Sequence, residues 1–241
     1  MLLFADDIVL LADSQEGLQR SLDIAWRYSR RWRFNFNLGK DKSEVMVLGG
    51  QVPGERFCLG EGHMKVVREY CYLGVVLMEE GWWDNGRERI LHKANAALWK
   101  AVGMGILDNY ERFVRPVCEY AGEVLGGSVW REAEVLQRRA GRMMLGVGDA
   151  VANEVVQGEL GWWTVKGRLD MLRLMYYAKL TKESSDLVRG VYECGRNTAD
   201  SGRRSTWCAY TKKLLGELGL EEEWRRRRDR RVEKEGECTH T

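Results

Sequence analysis

Five apolar residues in succession, Ile8-Val9-Leu10-Leu11-Ala12, follow two adjacent carboxylates, Asp6 and Asp7, and stop at Asp13-Ser14. That pattern predicts an acid-bearing turn and then a short strand near 8 to 12, buried on both faces. From Ser14 the spacing changes to threes and fours. Leu18, Leu22, Ala25, Trp26, Ser29 and Trp32 predict an amphipathic helix over 15 to 32, with Ser14 as its N-cap and Glu16 at its positive end. Phe34-Asn35-Phe36-Asn37-Leu38 alternates apolar and polar, and Val45 to Leu48 does so more weakly. A strand pair near 34 to 38 and 44 to 48 is expected, around Gly39-Lys40-Asp41-Lys42 and closed by Gly49-Gly50 and Pro53-Gly54. Tyr70-Cys71-Tyr72-Leu73-Gly74-Val75-Val76-Leu77 predicts an aromatic hairpin over 70 to 77, which by itself also fits an ordinary core strand with a glycine bulge.

Beyond residue 80 the pattern is helical. Ile90, Leu91, Ala94, Leu98, Ala101 and Val102 share one face of a segment capped by Asp84 and ending at Gly103 and Gly105. Tyr110 to Leu125 carries a second stripe, kinked where Pro116 removes a hydrogen bond. Leu136, Ala140, Met143, Met144 and Leu145 define a third, with Arg138, Arg139 and Arg142 toward its polar side and Gly146 at its end. A short helix is expected over 153 to 160. The following segment, 164 to 183, bears Leu169, Leu172, Leu174, Met175, Tyr176, Tyr177 and Leu180 on nearly every face and should be deeply buried. Residues 184 to 206, rich in Ser, Gly, Asp and Arg, read as a connector, and Trp207, Tyr210, Leu214 and Leu218 as the stripe of a final helical pair.

Composition narrows this only modestly. The chain has 241 residues, 44% hydrophobic and 31% charged, ample for a core, and its 38 basic against 36 acidic side chains do not announce a nucleic-acid binder. Arg225 to Arg231 is an arginine cluster flanked by glutamates, as compatible with a charged helix end as with phosphate binding or nuclear import. The arginines of 20 to 33 are read as a solvated face. Six scattered cysteines without a Cys-x-x-Cys pair suggest reduced thiols in the cytosol or nucleus. No apolar run is long enough for a membrane span, and Met1-Leu2-Leu3-Phe4 does not suit a secretion signal.

Adjacent carboxylates beside a buried strand repel one another, and divalent cations relieve that repulsion, so Asp6 and Asp7 suggest a magnesium site. The segment Phe4-Ala5-Asp6-Asp7 resembles the aromatic-x-Asp-Asp hairpin of reverse transcriptases, and Ile8 to Ser14 looks most like the non-LTR, LINE-type retrotransposon enzymes. Two further elements in the family's order carry the resemblance. Asn37 with Lys42-Ser43-Glu44-Val45-Met46 looks like the turn that follows the palm helix, and Tyr72-Leu73-Gly74 like the primer grip. Val114 to Glu123 resembles a helix seen after the palm in LINE-type enzymes.

The resemblance implies an RNA-directed DNA polymerase that transfers nucleotides with two Mg²⁺ ions, acting on an RNA template, a DNA primer and deoxynucleotides. Asp6 would be the principal metal ligand with Asp7 supporting it, and Lys42 would face the departing pyrophosphate as a general acid or charge partner. Tyr72, Leu73 and Gly74 would hold the primer, and Arg138, Arg139 and Arg142 would lie along the duplex backbone. The family's upstream palm aspartate and fingers have no counterpart before Asp6, so this polypeptide alone is expected not to polymerise. The fold expected is α+β: a remnant antiparallel palm sheet with one covering helix (1–80), a helical thumb-like region (81–150) and a helical C-terminal region with a basic tail (151–241). A non-catalytic nucleic-acid-binding helical module and a helical protein-interaction remnant remain the alternatives.

Overall fold

Ser14 begins the first helix as its side chain predicts, with extended backbone and a hydroxyl that accepts from Gly17 N at 3.1 Å. The computed structural model describes residues 1–39, 42–48, 57–79, 84–105, 109–125, 127, 129–182, 185–202 and 206–225. Within these the fold is mixed α and β, in two units, Met1–Gly86 and Arg87–Thr241. Gly49-Gly50, Pro53-Gly54, Lys40, Asp41 and the arginines of 226–231 lie outside the described residues.

The first unit opens with a hairpin of β1 (Leu2–Phe4) and β2 (Asp7–Val9), Phe4 opposite Asp7. Helix α1 (Gln15–Trp32) follows, and then β3 (Glu44–Met46), β4 (Cys58–Leu59), β5 (Gly62–His63) and β6 (Lys65–Val67). β3 runs parallel to β6 with Val45 opposite Val66, while β4 and β5 are antiparallel. A last hairpin joins β7 (Glu69–Tyr72) to β8 (Val75–Met78). Leu22 and Val45 meet Phe57 and Leu59 in the core, with Leu18, Trp26, Phe36 and Val66 around them. Gln19 stitches α1 to β4: its amide donates to Cys58 O at 2.9 Å and accepts from Cys58 N at 3.0 Å.

Three expectations are corrected. Residues 34 to 38 form no strand, and β3 pairs in parallel with β6, so the ladders are four separate strand pairs among the described residues and not one antiparallel sheet. Phe34 and Phe36 pack edge to face, and Phe36 reaches the core without a ladder partner. The strand after the carboxylates is also shorter than its apolar run and is not buried: Ile8 is 40% exposed, and Leu11, beyond the strand's end, 64%.

The second unit is helical throughout its described residues. Its elements are α2 (Asp84–Gly103, beginning in the first unit), α3 (Tyr110–Phe113), α4 (Arg115–Glu119), α5 (Gly122–Leu125), α6 (Arg131–Leu145), α7 (Asn153–Leu160), α8 (Val165–Leu180), α9 (Asp186–Asp200) and α10 (Thr206–Glu217). Leu98, Tyr110, Val114, Cys118, Leu136 and Ala140 form one core, where Tyr110 stacks on Trp162 at 4.5 Å. Pro116 breaks the predicted second helix outright. It sits in the first turn of α4, where its missing N–H costs nothing, and Ala121 turns the chain again with φ 54°.

The supposed connector holds a full helix, α9, whose buried side chains are Tyr192 and Arg196. In α8, expected to be apolar all round, Met175 is exposed and the most buried side chain is Arg173, at 2%. In α10 the buried positions are Cys208, Thr211, Leu214 and Leu215, while Tyr210, and Leu218 just beyond the helix, are exposed. No helix among the described residues is long and apolar enough to cross a membrane.

Candidate functional site

Two hairpin tips and one turn carry the residues singled out in the first unit. The chain turns between β1 and β2 through Ala5 and Asp6, with Ala5 in the left-handed region at φ 52°. A side chain there costs about 1 kcal/mol that glycine would avoid. Asp6 is at this tip and Asp7 opens β2, both exposed. The β7–β8 hairpin turns through Leu73 (φ 47°) and Gly74 (φ 79°), two successive left-handed residues whose twist suits a two-residue loop. Such backbone persists only where the surroundings hold it.

Tyr70 links the parts. Its hydroxyl donates to the carbonyl of Lys42 at 2.9 Å, fixing the turn in which Lys42 N donates to Gly39 O at 3.2 Å. Burial raises the Tyr70 phenol above its ordinary pKa, and the negative charges of Asp7 and then Glu44 push it further. β3, which carries Glu44, lies beside β7. Tyr70 thus ties the Lys42 turn to the β7–β8 hairpin that carries Tyr72, Leu73 and Gly74. The Lys42 side chain is exposed, Tyr72 and Leu73 are half-buried and Gly74 is exposed. In the sequence Tyr70 reads only as part of the hairpin. The signal that it joins the two motifs, a bond spanning 28 residues, is not local.

Two exposed neighbouring carboxylates suit a single hydrated Mg²⁺, which takes one or two protein oxygens and fills its octahedron with water or phosphate. A pair of ions needs a further bridging carboxylate. Among the described residues no group of three or more His, Cys, Asp or Glu is placed to hold a metal ion. The described residues thus do not by themselves fit a two-ion centre.

In the second unit the three arginines part company. Arg139 is exposed and, with Arg131 and Asn95, lines a hollow of about 300 Å³. Arg138 is half-buried. Arg142 is turned to the protein, donating to Val151 O at 2.8 Å and Asn153 Oδ1 at 2.9 Å and so closing the loop between α6 and α7. Of the arginine cluster at the C-terminal end only Arg225 is described. It follows Trp224, whose carbonyl accepts from Arg196 and whose indole donates to Asp200 Oδ1 at 3.1 Å. Compared with known proteins, the chain matches no family model, no curated protein and no solved structure.

Proposed function

We propose that residues 1 to 78 are part of the palm of a LINE-type reverse transcriptase, an RNA-directed DNA polymerase working on an RNA template, a DNA primer and deoxynucleotides. The observation that supports this most is the Tyr70 hydroxyl, which ties the Lys42 turn to a hairpin strand within electrostatic reach of Asp7. An exposed turn lysine is useful where a polyanion must be held and a leaving pyrophosphate neutralised. On this reading Asp6 and Asp7 offer oxygens to Mg²⁺, Lys42 meets phosphate, and the Tyr72-Leu73-Gly74 tip lies against the primer. The helical second unit would lie along duplex, with Arg138 and Arg139 as its cations. Arg142 is occupied by its own loop.

On this reading Asp6 and Asp7 would supply two of the carboxylates of a two-ion mechanism, no third is placed with them among the described residues, and the polypeptide by itself is proposed to bind without polymerising. The test is a titration of the full chain with an RNA/DNA primer–template, with and without Mg²⁺, beside a primer-extension assay. Binding strengthened by Mg²⁺, the increment lost in Asp6→Asn/Asp7→Asn, and no extension are expected. Hybrid binding indifferent to Mg²⁺ and to both aspartates would displace this reading in favour of a non-catalytic nucleic-acid-binding module. Mg²⁺-dependent extension abolished by Asp6→Ala would overturn the proposed inactivity.

A further inference from the structure

The outward face of α1 does not look like the solvated arginine face its sequence suggests. Ile24, Tyr28 and Trp32, spaced four apart and so on one row, are 59%, 56% and 62% exposed. Trp32 was expected on the buried stripe. The core of the first unit instead takes Leu18, Leu22 and Trp26, and the packed face ends at Ser29, one turn short of it. Arg33 then ends the helix with φ 59° and brings Phe34 back beside Tyr28, the ring centroids 6.1 Å apart and inclined at 66°. Tyr28 and Trp32 are 6.0 Å apart and inclined at 46°. No two of these rings lie face to face, which leaves ring faces open to a flat ligand.

Charge surrounds the rings. From Gly17 to Phe36 there are five arginines (Arg20, Arg27, Arg30, Arg31, Arg33) and one acid, Asp23. Arg27 and Arg31 each lie three residues beyond Ile24 and Tyr28, on the adjacent row, and Arg20 heads the aromatic row itself. Arg30 leans over the Trp26 ring at 5.6 Å. Among the described residues none of the five joins a salt bridge, and all five are exposed.

From this we infer that the outer face of α1, with Tyr28, Trp32 and Phe34 as stacking rings and Arg27 and Arg31 as phosphate partners, is a binding site for single-stranded nucleic acid. Open aromatic faces set among uncompensated cations match a ligand that offers bare bases and a regular chain of phosphates. A duplex presents the phosphates but keeps its base faces stacked. An anionic membrane surface would also draw the arginines, but it favours a broad aliphatic face. Here Ile24 is the only aliphatic member of the exposed row. The proposed site uses no residue of the carboxylate turn and does not rest on the polymerase reading.

The test uses the full chain with a labelled oligo-dT strand. Binding is expected to quench tryptophan fluorescence, to exceed binding of a duplex of equal length, and to be unchanged by EDTA. Tyr28→Ala/Trp32→Ala should weaken it by about tenfold or more without changing its salt slope. Arg27→Gln/Arg31→Gln should flatten the log-log salt slope by about 1.4, that is about 0.7 for each charge. Both pairs are exposed, and photocrosslinking of a bromodeoxyuridine strand to the unsubstituted chain, expected at Tyr28, Trp32 or Phe34, gives an answer even where a variant folds poorly. The inference is overturned by absent binding at low salt, by a ring variant that binds as before, by crosslinks elsewhere, or by equal affinity for duplex. It is equally overturned if the ring variant abolishes only binding to phosphatidylserine-containing vesicles, or only self-association in sedimentation.

Discussion

Gly122→Ala tests how the second unit is packed. Gly122 opens α5, a short element laid against α8, and a Cβ there would sit 2.5 Å from Leu169 Cδ2 and 3.2 Å from Leu172 Cδ1. Carbon atoms prefer 3.5–4.0 Å, so one side must yield by roughly 1 Å. Leu169 is 3% exposed and has little room to retreat. Overpacking of this kind costs about 1–3 kcal/mol, against at most about 1 kcal/mol returned by the better helix propensity of alanine. The net loss, about 1–2 kcal/mol, lowers the midpoint of thermal unfolding by roughly 2–8 °C in a unit of this size. Leu169→Ala alone should cost about 2–5 kcal/mol through the cavity it leaves. In the double variant the new methyl group enters that cavity, so the pair should be no worse than Leu169→Ala, with a coupling of about 1–3 kcal/mol. Urea titrations followed by ellipticity at 222 nm measure all four corners. A stabilising Gly122→Ala, or a strictly additive double variant, would refute the close approach of α5 to α8.

Tyr70→Phe should remove about 0.5–1.5 kcal/mol and speed amide exchange over residues 42 to 46, since the Lys42 turn loses its 2.9 Å tether; unchanged exchange there would count against the link between the two motifs. Burial, aided by Glu119, pushes the Cys118 thiol up to about 12, which favours its neutral form in the folded state. That contribution is complete below the unfolded thiol value near 9 and is lost as pH rises toward 12, so thermal scans of Cys118→Ala should show a shallower decline over that range than the parent. Glu134, buried on α6, accepts from Lys166 N at 2.9 Å at the start of α8. Glu134→Ala should destabilise the helical unit by about 1–3 kcal/mol and Glu134→Gln by less, because the amide keeps an acceptor and gives up only the charge favoured at a helix N-terminus; equal effects on the denaturant midpoint would contradict this.

Elements whose cause is local were legible in the sequence. Helix α1 runs from 15 to 32 because Ser14 caps it and its apolar spacing is regular, and α7 occupies the predicted 153 to 160. Gly146 ends α6 in the left-handed conformation its sequence position suggests. Elements whose cause is distant were not. β3 takes its partner from β6, about twenty residues on, so the alternation of Phe34 and Phe36 had no strand to pair with. Helix α9 buries Tyr192 and Arg196, and what makes an arginine acceptable there is Trp224, whose carbonyl it reaches and whose ring it covers at 5.1 Å. A composition of Ser, Gly, Asp and Arg gives no hint of that partner. At the candidate site the carboxylates, Lys42 and the Leu73-Gly74 turn were each visible, but the tyrosine that joins the last two was visible only as one more aromatic in a hairpin.

The disposition of charge argues for where chemistry belongs in this chain. In the helical unit the buried charges are bound to structural partners. Arg173 donates to Val124 O at 3.3 Å and lies against the rings of Trp207 and Tyr210, and burial lowers its pKa to about 10. Arg168 grips both oxygens of Glu119, at 2.7 and 3.0 Å, and Glu134 receives the first turn of α8. Moving Arg173 or Glu134 toward a ligand would strip a partner from a desolvated group, a cost of several kcal/mol, and moving the half-buried Arg168 would break its two hydrogen bonds to Glu119. In the first unit Asp6, Asp7, Lys42, Arg27 and Arg31 are exposed and enter no salt bridge among the described residues, so a ligand can meet them without dismantling the fold. Those residues fall at two separate places, an acid turn and a cationic aromatic helix face. On the readings proposed, the first would meet phosphates through a metal and Lys42, and the second would meet the phosphates and bases of an unpaired strand.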